Sequence, residues 1–181
     1  MKTIDWTKVA ETGGSSDRLP AGGYACKITN VEDYPDKEYL KIEYEIVDGE
    51  YKGYGEKTAG GGWWRLSFIR SYKPKAMGFF KHFLSSLEKS NPKFNCSMLK
   101  DDPNVLRGLY IGLVVGYEEY VNNNGETKER LYVEDTIPGA DIRSGNFKTP
   151  ELKKLKEDSP KFDPTPAAVT DHGTNEDDLP F

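Results

Sequence analysis

Residues 71–92 read "SYKPKAMGFFKHFLSSLEKSNP". Met77, Phe80, Leu84 and Leu87 recur at helical spacing, Phe83 widens the apolar stripe, and Asn91 with Pro92 ends it. What flanks this helix decides the architecture. Upstream, "YACKIT" (24–29) alternates Tyr24, Cys26 and Ile28 against Ala25, Lys27 and Thr29. "YLKIEYEIV" (39–47) alternates Leu40, Ile42, Tyr44 and Ile46 against Tyr39, Lys41, Glu43 and Glu45. Both have the period of half-buried strands. "EDYPDKE" (32–38) is a turn, and "DGEYKGYGE" (48–56) is a second one, leading through "AGGG" to a third strand, "WWRLSFI" (63–69). Its alternation puts Trp64, Leu66 and Phe68 on one face and Trp63, Arg65 and Ser67 on the other. Downstream, "LYIGLVVGYEEYV" (109–121) lines up Leu109, Ile111, Leu113 and Val115, and "NNNG" turns it into "ETKERLYVEDTI" (126–137), a hairpin.

Three strands, one helix and a two-stranded hairpin predict an all-β fold with one helix. The element order is that of the OB-fold, a five-stranded barrel with the helix between strands 3 and 4, here followed by a disordered acidic C-terminal tail. The length, 181 residues, suits one domain with extensions. The expected organisation is a flexible N-terminal arm (1–19), the OB-fold domain (20–148), a mostly disordered linker (149–174) and an acidic interaction tip (175–181). Across the start of the linker, "FKTPELKKL" (147–155) is a candidate short docked stretch.

The opening segment has no apolar run of signal-peptide length, and no window approaches a membrane span, so a soluble cytoplasmic protein without a membrane partner is expected. Cys26 and Cys96 stand alone, which predicts neither a disulfide framework nor a metal site. A net charge of −5 argues against a nucleic-acid partner until its distribution is considered. From Lys52 to Arg107 there are 11 Lys/Arg against 4 Asp/Glu; from Glu151 to Phe181 there are 4 against 8. A basic middle is paired with an acidic end.

Single-stranded nucleic acid offers flat bases and a charged backbone, so its binders need rings to stack on and cations for phosphates. "WWRLSFIRSYKPK" (63–75) carries Trp63, Trp64, Phe68 and Tyr72 interleaved with Arg65, Arg70, Lys73 and Lys75, and no acidic residue. Core packing is the plainer role for Trp64, Leu66 and Phe68, although Trp64 is kept among the DNA-binding candidates; Trp63 and Arg65 favour contact with DNA. Tyr39 and Lys41 on the second strand, Tyr34 in the first loop and Tyr132 on the last strand are further candidates. Catalysis is not expected: His82 and His172 are the two histidines, and no phosphate loop, nucleophile elbow or paired-ligand motif accompanies them. No cofactor is implied.

At the end of the chain, Asp177 and Asp178 precede Leu179, Pro180 and Phe181. Charges to steer, a proline to limit the free ensemble and a ring beside a carboxylate make a compact ligand for another protein. This tip resembles that of bacterial single-stranded-DNA-binding proteins, which finish in an acidic run closed by Pro-Phe. The body resembles the single-stranded-DNA-binding proteins encoded by phages of Gram-positive bacteria, through "LPAGGYACKITNVED", "YLKIEYEIVDGEYKGY", "RSYKPKAMGFFKHFLSSLEKSNP" and "FKTPELKKLK". The resemblance covers about Leu19 to Lys156 and the tip. It implies a non-catalytic protein in the infected host's cytoplasm that protects single-stranded DNA during replication, recombination or repair and recruits partner enzymes through its last residues. Homo-oligomer formation is compatible with it. Two other roles fit the same residues: a strand-annealing or recombination mediator, and an interaction protein that occupies host pockets meant for the host protein's own tip. It departs from the cellular proteins, in which the barrel opens the chain and a long Gly/Gln-rich linker follows.

Overall fold

The structure, a computed structural model, describes residues 18–58, 66–100 and 102–155. β1 (Gly22–Tyr34) and β2 (Tyr39–Ile46) form an antiparallel hairpin. A single 3-10 turn, Pro35–Lys37, joins them: Pro35 presets φ for the turn, and Glu38 closes it at φ 55°. β3 (Ser67–Ser71) pairs with β2, β4 (Tyr110–Val121) with β1, and β5 (Thr127–Ile137) with β4, all antiparallel. The order is β3-β2-β1-β4-β5, a five-stranded sheet with one main helix.

β1 runs through Glu32, Asp33 and Tyr34, residues that local turn chemistry assigns to the connector. Register shifts at Ile28/Asn30 and Val114/Val115 mark bulges where these long strands can bend. The turn after β2 contains a short helix, α1 (Tyr54–Thr58). Its first amides are held from a distance: Glu45 accepts from Gly55 N–H at 2.9 Å and Glu56 N–H at 2.8 Å.

The main helix, α2 (Met77–Ser90), buries Phe80, Phe83 and Leu87. The apolar stripe starts at Ala76, which is 4% exposed, and not at Met77, which is 48% exposed. Residues 76, 80, 83 and 87 follow the helical period better. α2 lies across the gap between two strand edges. Phe83 meets Phe68 of β3 edge-on, with centroids 6.0 Å apart. Toward β5, the Ser86 hydroxyl donates to Thr136 O at 2.7 Å, and His82 Nε2 lies 3.1 Å from Asp135 Oδ1. Among the described residues no ladder joins β3 to β5. At the helix end Asn91 Nδ2 donates to Leu87 O and Tyr110 O, while its Oδ1 accepts from Tyr110 N–H, tying α2 to the start of β4.

The core lies between α2 and one face of the sheet, with Ile28, Ile42, Ile46, Ile111, Leu113 and Val115 each 1% exposed or less. Leu19, placed in the arm by sequence, is also 1% exposed; its carbonyl accepts from Tyr117 and its amide donates to Tyr54 Oη. On the opposite face, β1 and β4 are covered by α3 (Gly139–Ser144) and the chain after it. The approach is too close for side chains below: a methyl on Gly23 would sit 2.6 Å from Phe147, and one on Gly116 2.9 Å from Pro150. Lys153 then bridges β4, donating to Tyr117 O and accepting from Glu119 N–H, both at 2.9 Å.

Lys153 Nζ also meets Glu134 Oε2 at 2.7 Å, and this contact holds the Glu134 carboxyl below the usual glutamate range despite partial burial. A carboxylate depressed in the folded state contributes stability above its unfolded pKa and loses it as pH falls through the folded one. Wild type should therefore be more stable than Glu134→Gln at neutral pH, and in urea titrations the difference should shrink as pH falls below the usual glutamate range. A difference that persists unchanged into acid would rule out this ion pair as its source.

Among the described residues, no helix is long and apolar enough to cross a membrane, and no group of three or more His, Cys, Asp or Glu could hold a metal. Cys26 is buried, its thiol pushed up by burial, and Cys96 is exposed; both are free.

Candidate nucleic-acid interface

With β1 and β4 covered, the outer face that stays open runs over the second half of β1, β2 and β3. The register arranges it in rows: Tyr34, Tyr39 and Ser71; Glu32, Lys41 and Ile69; Asn30, Glu43 and Ser67. Tyr34 and Tyr39 stack with centroids 4.9 Å apart and planes 23° apart. Tyr34 is 36% exposed and Ile69 51%. The hairpin thus stacks a loop tyrosine against a strand tyrosine, an aromatic surface at the open face. Such a surface can stack on any base.

Charge on this face is less one-sided than the strand sequence suggests. Lys41 Nζ lies 3.5 Å from Glu32 Oε2 and 3.7 Å from Glu43 Oε1. The Tyr34 hydroxyl also donates to Glu32 at 2.9 Å, and these contacts hold the Glu32 carboxyl below its usual range, the hydroxyl bond first. An ion pair as exposed as Lys41–Glu32 contributes about 0 to 1 kcal/mol, so an incoming phosphate can exchange for it.

The remaining candidates divide among several places. Arg70 follows Phe68 on the inward side of β3, cross-strand from buried Leu40, with its guanidinium 4.8 Å above the Phe68 ring. It is half-buried by area yet hemmed in by protein atoms, and loss of solvent pulls its pKa down to about 10, with Asp135 opposing the shift. It stays charged at neutral pH. Tyr72 packs edge-on against Phe80 at 6.0 Å and donates to Asp33 at 2.9 Å. Its pKa rises to about 12, through desolvation first and Asp33 second. Lys73 leads into the 3-10 turn Pro74–Ala76, its amide donating to Ser71 Oγ, and Lys75 on that turn is exposed. Tyr132 lies under Lys153, whose ammonium is 4.2 Å from the ring centre. Trp63, Trp64 and Arg65, and the tip Asp177, Asp178, Leu179, Pro180 and Phe181, lie outside the described residues.

The structure therefore groups Tyr34, Tyr39 and Lys41 on one face and sends Arg70 to another. Beside it, a cleft of about 610 Å³ lies between β3, the start of α2 and β5. Ile69, Arg70, Lys75, Phe79, His82 and Asp135 are among the residues that line it. Three participants are absent from the residues singled out by sequence. Ile69 and Phe79, 60% exposed, sit opposite or beside core residues, so period alone could have flagged them. Glu32 could not be flagged, because its pairing with Lys41 spans two strands.

The chain matches no protein-family model and no curated protein.

Proposed function

We propose that this protein is an OB-type single-stranded-DNA-binding protein that coats DNA with little sequence preference and performs no catalysis. The stacked Tyr34 and Tyr39 pair carries the reading, because it is an exposed aromatic platform on a sheet whose strand order, β3-β2-β1-β4-β5, is compatible with an OB barrel closed through its helix. Lys41 lies on the same face, and Lys73 and Lys75 follow on the turn after β3 as further cations for phosphates. The tip, Asp177 to Phe181, recruits replication, recombination or repair enzymes, and the setting is phage DNA metabolism in a bacterial host.

The test is a titration of fluorescein-labelled oligo(dT) against duplex of equal length, with salt varied. Single strand should bind preferentially, and log K should fall against log salt with a slope of about −2 to −3, as for three or four phosphates neutralised. Equal affinity for duplex would refute DNA coating. In the same preparation, a chain lacking Leu179, Pro180 and Phe181 should keep its oligo(dT) affinity and lose partner enzymes in pull-downs. Normal partner recovery would remove the tip from the mechanism.

A further inference from the structure

The cleft between the β3 and β5 edges combines features that the open face lacks. Arg70 reaches it as a half-buried guanidinium that donates to the Ile69 carbonyl at 3.1 Å; among the described residues it forms no ion pair, and Asp135 across the cleft is the carboxylate that acts on its charge. Lys75 adds an exposed ammonium from the turn below. Phe79 and Ile69 contribute exposed apolar surface at 60% and 51%. The acidic groups are Glu134, engaged by Lys153, and Asp135, which is held by His82 and accepts from the Thr136 amide at 2.7 Å. Cations thus lie on the β3 and turn side, and carboxylates on the β5 side. A cleft of about 610 Å³ has room for a nucleotide.

Ile69 joins this cleft to the open face. It is cross-strand from Lys41 and also lines the cleft. A strand lying on Tyr34 and Tyr39 can cross the edge of β3 here without leaving protein.

We propose that the cleft holds one nucleotide unit of the bound strand, with its phosphate on Arg70 and Lys75 and its base against Phe79 and Ile69. This rests on the single-strand reading above and extends it to a path over the β3 edge. The polarity of the cleft orients the unit. Phosphate is repelled from Glu134 and Asp135, whereas a base N–H, such as thymine N3–H, can donate to a carboxylate.

The experiment measures anisotropy of labelled (dT)20 with Phe79→Ala, Lys75→Gln and Arg70→Gln, with thermal melts by circular dichroism alongside. Phe79 and Lys75 are exposed, so their variants should fold normally. Each should weaken (dT)20 binding by about fivefold or more, and Lys75→Gln should reduce the magnitude of the salt slope by about 1. Arg70→Gln should do the same where its melt shows a folded chain. Free dTMP is the second arm. Millimolar competition that disappears in Phe79→Ala supports the site, whereas dTMP binding as tight as (dT)20 would make the cleft a mononucleotide site and overturn the strand path. Failure of wild type to bind (dT)20 would end the single-strand reading itself. Wild-type binding that Phe79→Ala and Lys75→Gln leave unchanged would overturn the cleft alone.

Discussion

Phe83→Ala should lower the free energy of unfolding by about 3 to 5 kcal/mol. Phe83 is 0% exposed and lies on the part of α2 that crosses from β3 toward β5. Its ring meets Phe68 at 6.0 Å and Phe80 at 6.2 Å, so removal opens a cavity between rings that come from two elements. Aromatic pairs add about 0.5 to 1.5 kcal/mol beyond area burial, and both are lost together. The loss should be large because α2 spans edges that no strand ladder joins among the described residues, so slack at Phe83 reaches β3 and, through Ser86 and His82, β5. Urea unfolding followed by circular dichroism measures it. Phe79→Ala is the matched control on the solvent side and should change stability by less than about 0.5 kcal/mol. Similar losses for the two variants would contradict this placement of α2.

The paired change Tyr34→Ala with Tyr39→Ala should cost about 2 to 4 kcal/mol of oligo(dT) binding, since each stacked base contributes about 1 to 3 kcal/mol. The rings touch each other, so the single changes should not add to the double. One lost ring also removes support for its neighbour. Stability should change little, because Tyr34 is exposed and Tyr39 lies on the outer face of β2. Tyr34→Phe separates ring from hydroxyl: it deletes the hydrogen bond to Glu32 and keeps the stacking surface. Oligo(dT) titration should give Tyr34→Phe wild-type affinity. If it binds as poorly as Tyr34→Ala, the hydroxyl and not the ring carries the contact, and the platform is misread.

Several features were legible in the chain because they depend on short-range order. Alternation in "YLKIEYEIV" is a local property of a pleated strand, and every residue of β2 fell on the expected face, with Leu40, Ile42, Tyr44 and Ile46 buried. The helix between the third and fourth strands and the hairpin at Asn122–Gly125 are local in the same sense, the turn being closed by the Asn122 side chain accepting from Asn124 and Glu126 amides. Tyr34, Tyr39 and Lys41 were singled out as candidates by type and position, and the register sets them on one face.

What only tertiary structure decided is who stands beside whom. α1 was hidden in a turn because its amides are held by Glu45, ten and eleven residues away, and local propensity cannot register such a partner. Arg70 sits one residue beyond the exposed Ile69, yet it faces the β5 edge because the inward row of β3 continues past Phe68 to the rim of the core. Among the described residues β3 and β5 do not pair, and α2 lies across the gap between them, which leaves the cleft. Charge changed meaning most. Lys41 was placed by period on the face of Glu43, and pairing added Glu32 of β1 beside it. A sequence determines each residue's type, period and intrinsic charge; the field at a site is a sum over neighbours from other strands, and only the folded register supplies those neighbours.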